Sequence, residues 1–122
     1  MNDRYFINVA GVGFDAMVAG ISEPVRFLGP VAYLGSALVG LLKNKGIRLK
    51  LNIDGNKIDM NALMIAIANG RYFGGKMLIA PEASPWDGKF DVCLIENASK
   101  LEILKTLPKV YSGKHIYHPK VK

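Results

Sequence analysis

Apolar and polar positions alternate most cleanly in IRLKLNIDGNKIDM, residues 47–60, with Asp54-Gly55 at the centre. A two-residue turn there predicts a hairpin that pairs Ile53 with Asn56, Leu51 with Ile58, Leu49 with Met60, and Lys50 with Asp59. Apolar residues meet on one face and an opposite-charge pair on the other, so a slip of one residue would expose the apolar set. The LMIAIA run that follows, residues 63–68, is apolar throughout and predicts a strand covered on both sides. That cover would come from a second sheet or from a helix on the sheet.

Upstream, YFINVAGVGFDAMVAG predicts a strand, a glycine turn and a second apolar stretch. In GPVAYLGSALVGLLKN, Pro30 takes a first-turn position, Leu34, Ala37, Leu38, Leu41 and Leu42 share a face, and Lys43 closes the pattern: a helix. Downstream, KFDVCLIE predicts a strand with Phe90, Val92 and Leu94 inward and Asp91 and Cys93 on the other face. Ser99 and Glu102 form a capping-box pattern that opens a second helix, whose predicted buried stripe is Leu101, Leu104, Leu107 and Tyr111. Pro108 should kink or end that helix near its last turn, and beyond Gly113 the segment KHIYHPKVK predicts a loop entering a strand.

With 122 residues, half of them hydrophobic, the chain suits a single domain, residues 1–122. The lone Cys93 sits in an apolar strand, which makes it a buried small hydrophobe in a reduced compartment and excludes a disulfide scaffold. No signal peptide pattern opens the chain, and the expected location is cytoplasmic. The longest charge-free run, residues 27–42, would span ~24 Å as a helix, short of the ~30 Å hydrocarbon core. A formal charge of +6 fits an anionic partner or a solvated basic surface. Aromatic residues do not interleave with the basic ones, so nucleic acid is not expected as a partner.

Candidate chemistry is sparse. GVGFDA has the spacing of a dinucleotide fingerprint at Gly11, Gly13 and Ala16, but Ser22, Glu23 and Pro24 interrupt the helix it should open. His115 and His118 lie three apart without a Cys or acidic cluster to complete a zinc site, and they are expected as loop histidines. Asp15 either orients a substrate or caps its turn. Asp87-Gly88 is a turn pair just before the Phe90 strand. No Walker-type GxxxxGK[ST] segment occurs, and Ser36, Ser84 and Ser112 lack a nucleophile elbow.

The 69–96 stretch, NGRYFGGKMLIAPEASPWDGKFDVCLIE, joins two strands through a long glycine-dense loop. Its PEASPWDGKFDV resembles the C-terminal domain of the diacylglycerol kinase-like bacterial lipid kinases, relatives of the sphingosine and ceramide kinases. FINVAGVGFDA, the Asn69-Gly70 and Gly74-Gly75 pairs, and GKHIYHPKV resemble that domain in the same order along nearly the whole chain. Trp86 departs from the pattern, where small, polar or acidic residues are usual.

The resemblance implies a mainly β domain with two helices (α+β), an antiparallel β-sandwich-like unit incomplete at its C-terminus. It also implies a structural Mg2+ ion held by the Asp87 carboxylate with the carbonyls of Ser84 and Lys89, a donor set of hard oxygens that suits magnesium. ATP would be bound by an N-terminal nucleotide-binding domain with a GGDGT motif, and a general-base glutamate would sit in a later DGE segment. Neither motif occurs in this chain. The expected role is therefore the substrate side of an ATP-dependent lipid kinase acting on a lipid hydroxyl such as that of diacylglycerol, with the chain alone inactive. Its expected partners are the lipid, an anionic membrane surface, the nucleotide domain and, through open sheet edges, a second copy of itself. A non-catalytic lipid- or protein-binding module is the alternative, and an NAD-binding oxidoreductase domain is a third.

Overall fold

The computed structural model describes residues 5–13, 40 and 45–122. The first predicted helix lies outside the described residues except at Gly40. Asp15, Ser22, Glu23, Pro24 and Ser36 lie outside them as well.

The described chain builds six strands: β1 (Val9–Gly13), β2 (Ile47–Ile53), β3 (Asn56–Ala68), β4 (Tyr72–Phe73), β5 (Met77–Leu78) and β6 (Asp91–Glu96). The long strand β3 organises the main sheet. Along one edge it pairs antiparallel first with β2 and then with β1, while β6 takes the opposite edge. The predicted hairpin register is the observed one, from Ile53 opposite Asn56 to Leu49 opposite Met60. Asp54 and Gly55 both have left-handed backbone (φ 49° and 88°), as a twist-matched two-residue turn requires.

On the charged face Lys50 stands opposite Asp59 as predicted, and Arg48 joins the pair as a second, closer cation. Arg48 donates to both Asp59 carboxylate oxygens, at 3.0 and 3.1 Å, whereas Lys50 Nζ stands 4.0 Å away. The planar guanidinium engages both oxygens in a fork that an ammonium cannot copy.

At the other end of β3, the expected glycine turn is not formed through Gly13: Gly11 pairs with Ala66 and Gly13 with Met64 inside the ladder. Gly11 and Gly13 are thus part of the sheet, and Ala16, the third small residue of the fingerprint spacing, lies outside the described residues. Gly13 has φ 107°, and a Cβ there would stand 2.7 Å from the Leu63 carbonyl oxygen, so only glycine fits the junction.

β3 is buried from Ala62 to Ala66, as its unbroken apolar run predicts. One cover is the helix α1 (Lys100–Tyr111), which contributes buried Val110 and partly buried Ile103 to the core around Leu63, Met64 and Cys93. The predicted capping box is present: the Glu102 N–H donates to Ser99 Oγ, and the Ser99 N–H donates to Glu102 Oε2 at 2.8 Å.

The predicted stripe of α1 is rotated from the real one. Of the predicted stripe, Leu107 does turn toward the core, beside Ile103 and Val110, whereas Leu101, Leu104 and Tyr111 are exposed, Leu101 by 70%. Pro108 lies in the last turn and the helix continues to Tyr111 before Ser112 and left-handed Gly113 end it. The segment after Gly113 opens as a 3-10 helix, Lys114–Tyr117, in place of the expected loop. Val121 then bridges Ile95, and Leu94 and Lys122 exchange backbone hydrogen bonds, so the chain does enter a strand beside β6.

β6 also departs from simple alternation. Cys93 and Leu94 are both buried, and Phe90, expected inward, is 58% exposed before the strand begins. Phe90 instead meets the ring of Phe6, with centroids 5.3 Å apart.

Candidate functional site

Two places among the described residues have the makings of a site. The first is the turn at Asp87. The loop leading to it is firmly held at its start: Asn69 Nδ2 donates to the Ile7 carbonyl, and the Asn69 and Gly70 N–H groups donate to the Asn8 carbonyl. Asn8 Nδ2 answers with a hydrogen bond to the Tyr72 carbonyl. The loop is not featureless, because β4 and β5 form a short hairpin within it. Arg71 Nε reaches the carbonyl of fully buried Ala83, 3.1 Å away, which anchors the segment just ahead of the turn.

The Asp87 N–H points back to the Ser84 carbonyl at 3.5 Å, and Asp87 Oδ1 accepts from the Lys89 N–H at 2.9 Å. Gly88 supplies the left-handed backbone (φ 72°) that this side-chain turn needs. The three residues proposed from the sequence, Ser84, Asp87 and Lys89, thus share one tight turn. Their chemistry fits a hard cation: Asp87 Oδ1 is engaged by a single N–H, and carboxylate and carbonyl oxygens can accept more than one partner. Among the described residues, no three His, Cys, Asp or Glu side chains cluster to form a metal centre of their own. A cation here would therefore depend on carbonyls and water beside one carboxylate.

The second place was not found from the sequence. Under α1, between that helix and the inner face of β3 and β6, lies a cavity of about 80 Å³. Its walls are overwhelmingly apolar: Leu63, Met77, Ile103, Leu107 and Val110 contribute to them. Charged residues border it at Glu96, Glu102 and Lys120, the last two joined by a 3.1 Å ion pair. Hydrogen bonds from Ser99, followed by the Lys120 ammonium, hold the Glu102 carboxyl down to about 2, so it stays ionised.

His115 also lines this cavity and departs from the expectation of a loop histidine, since it sits in the 3-10 helix and in the core. It is fully buried, with Nε2 at 3.1 Å from the Ile79 carbonyl. Burial lowers its pKa below the ordinary histidine value. His118 is separate in function: its Nδ1 accepts from the Lys120 N–H at 3.3 Å. The two histidines therefore make different local bonds and do not form the metal pair that their spacing allows. The sequence signal for this burial is slight, namely a left-handed glycine position two residues before the histidine, packed against Leu78 and Pro81.

Cys93 carries no chemistry of this kind. Burial pushes its thiol up to about 11, which keeps it protonated and unreactive, as a core residue should be. Among the described residues, no helix is long and apolar enough to cross a membrane.

Residues 8–122 match the YegS C-terminal NAD kinase beta sandwich-like domain. A diacylglycerol kinase of Mycobacterium tuberculosis (strain ATCC 25618 / H37Rv) is 28% identical over 116 residues, covering 93% of this chain and 38% of that protein. A diacylglycerol kinase of Staphylococcus aureus (strain Newman) is 30% identical over 123 residues, covering 99% of this chain and 39% of that protein. In fold, the chain is similar to a crystal structure assigned to a diacylglycerol kinase of Bacillus anthracis str. Sterne. The TM-score is 0.65 at 20% identity, over 99% of this chain and 39% of that one. The chain thus spans 38–39% of the length of these relatives. Its antiparallel, sandwich-like architecture and its match from Asn8 to the last residue agree: the chain belongs to the YegS C-terminal NAD kinase beta sandwich-like domain family.

Proposed function

We propose that this chain is the lipid-side domain of an ATP-dependent lipid kinase, and that it shelters the apolar part of a lipid such as diacylglycerol while another domain binds ATP. The observation that carries this reading is the apolar cavity beneath α1, bordered by charge at Glu96, Glu102 and Lys120. A hydrocarbon chain is stabilised by leaving water for such walls, and a polar headgroup is accommodated at a charged border. The relatives named diacylglycerol kinase support the choice of lipid class.

The phosphoryl-transfer machinery is assigned to residues outside this chain. A lipid hydroxyl attacking the γ-phosphate of ATP needs donors around the phosphates and a base for the hydroxyl proton. GGDGT and DGE segments are absent from these 122 residues.

Within the chain, the Ser84 and Lys89 carbonyls and the Asp87 carboxylate would hold Mg2+. A bound cation would supply structural cross-linking of the turn, not the reacting centre. Asp87 already orders the turn by accepting the Lys89 N–H, and this leaves carboxylate capacity for the ion.

The test uses the 122-residue chain with dioctanoylglycerol. Isothermal titration should show saturable binding, and Leu107→Trp, which fills the cavity, should weaken it at least tenfold. Unchanged binding in that variant would reject the cavity as the lipid site. With ATP and magnesium added, no phosphorylated lipid should form. Robust turnover would show that the catalytic groups are in this chain after all.

A further inference from the structure

One end of the main sheet carries large apolar side chains for which the lipid-side reading has no use. The start of β1, the end of β3 and the start of β6 lie side by side there, with Val9 and Asp91 on either side of Ala68. Tyr5 and Ile7 precede β1, Tyr72 follows β3, and Trp86 and Phe90 precede β6. All five are exposed, Trp86 by 91% and Ile7 by 88%. The connections that carry them are tied together: Asn69 Nδ2 donates to the Ile7 carbonyl, Asn8 Nδ2 donates to the Tyr72 carbonyl, and the Phe6 and Phe90 rings meet.

So much apolar surface in water calls for a partner. At about 150–250 Å² for each aromatic side chain, Tyr5, Tyr72, Trp86 and Phe90 at these exposures leave on the order of 600 Å² uncovered. Few monomers leave a patch of that size bare, and it approaches the ~800 Å² that each partner buries in a standard interface. Trp86 is also held in place: Asp87 accepts the Lys89 N–H just after it, and Arg71 Nε donates to the Ala83 carbonyl just before it. A large side chain on an ordered turn gives up little freedom when it docks.

The charges around the patch decide what that partner is. From residue 69 to residue 91 the charged side chains are Arg71, Lys76 and Lys89 against Glu82, Asp87 and Asp91, so this end is neutral although the whole chain carries +6. An anionic bilayer gains nothing from such a rim, whereas the exposed leucines of α1 are flanked by Lys105 and Lys109. A second copy does gain: in a two-fold contact the cations of each rim can face the carboxylates of the other, and the repulsion between two +6 chains is not concentrated here.

We infer that this end of the sheet is a self-association face, on which two copies of the chain meet about a two-fold axis and cover each other's Trp86, Tyr72 and Phe90. The contact uses side chains at the end of the sheet in place of backbone groups along its open edges. It does not rest on the lipid-side reading, and the cavity beneath α1 is no part of it.

Trp86 is the chain's only tryptophan, so its fluorescence reports this face alone. Sedimentation equilibrium of the 122-residue chain over about 1–500 µM, where an interface of this size associates, should show monomer giving way to dimer. Trp86 emission should move to shorter wavelength along the same curve. Trp86→Ser should weaken the dimer by about thirtyfold or more, as loss of a central aromatic anchor does. Its urea midpoint should stay near wild type, because the side chain is exposed. Lys89→Glu keeps the backbone N–H that closes the turn but makes each rim net negative; it should weaken the dimer, and salt at about 0.5 M should restore most of the loss. A chain that stays monomeric throughout would overturn the inference and leave the patch to a different protein. A dimer with unshifted Trp86 emission, or one that Trp86→Ser leaves intact, would overturn it as well and place the contact on the open sheet edges. Neither result touches the lipid-side reading.

Discussion

Gly113 shows how a single residue sets the cavity wall. Its φ of 72° ends α1 in the left-handed conformation, and a Cβ there would stand 2.9 Å from both Leu78 and Pro81. Gly113→Ala should therefore cost about 1–3 kcal/mol, from backbone strain and overpacking together, measured as a lower urea midpoint at unchanged slope. Two residues on, His115 is buried with its pKa lowered by desolvation. Because the folded value lies below the unfolded one, folded and unfolded states bind protons alike at pH 8. As pH falls below about 6.5 the unfolded chain binds a proton that the native ring resists, so stability declines. Urea midpoints from pH 8 to pH 5 should fall, and fall less in His115→Phe; equal slopes in both proteins would count against a buried neutral ring. Glu96, Glu102, His118 and Lys120 border the same cavity, so the comparison with the variant is what isolates His115. None of this was legible in GKHIYH, because burial of a histidine depends on what folds over it. By contrast, the Asp87 turn was legible as a turn, since an aspartate followed by glycine carries its own backbone instruction.

Helix α1 separates what local sequence can specify from what packing decides. Its start was readable because Ser99 and Glu102 satisfy each other's backbone donors within four residues. The Glu102 carboxyl, lowered to about 2 chiefly by the Ser99 hydrogen bonds, contributes stability that is fully present above its ordinary 4.5 and is lost as pH falls toward 2. Thermal midpoints between pH 6 and pH 2 should show that loss, and Glu102→Ala should flatten it. The helix's orientation was not readable. KLEILKTLPKVY offers two apolar arcs at helical spacing that share Leu107, the predicted Leu101–Leu104–Leu107–Tyr111 and the observed Ile103–Leu107–Val110, and only the sheet beneath chooses between them. Ile103→Ala should cost about 2 kcal/mol and Leu101→Ala no more than about 0.5, by urea denaturation; the opposite order would mean that the predicted stripe is the buried one. The β2–β3 hairpin was readable to the residue because turn chemistry, alternation and cross-strand charge all specify one register. For β6 the alternation rule failed, because both faces of this strand are covered at Cys93 and Leu94.

At the scale of the whole molecule, the unused arc of α1 gains a meaning. Leu101, Leu104 and Tyr111 are exposed on the same helix as exposed Lys105 and Lys109, which makes an apolar strip flanked by cations. Such a face suits the boundary of an anionic bilayer, where the leucines enter the acyl region and the lysines meet the headgroups. The same helix roofs the cavity, so a membrane contact there would bring the proposed lipid site next to its source. The chain's net +6 adds a longer-range attraction of the same sign. Cosedimentation should therefore show binding to phosphatidylglycerol vesicles and little to phosphatidylcholine vesicles, falling when salt is raised from 0.05 to about 0.5 M as screening shortens the reach of the lysines. Leu101→Ser with Lys105→Glu should weaken binding at least tenfold, while the urea midpoint stays near wild type because neither side chain is buried. Lys50→Glu, exposed on the distant hairpin pair, serves as the control for net charge. If it weakens binding as much as the helix variant does, attraction is a property of total charge alone and α1 has no privileged contact with the bilayer.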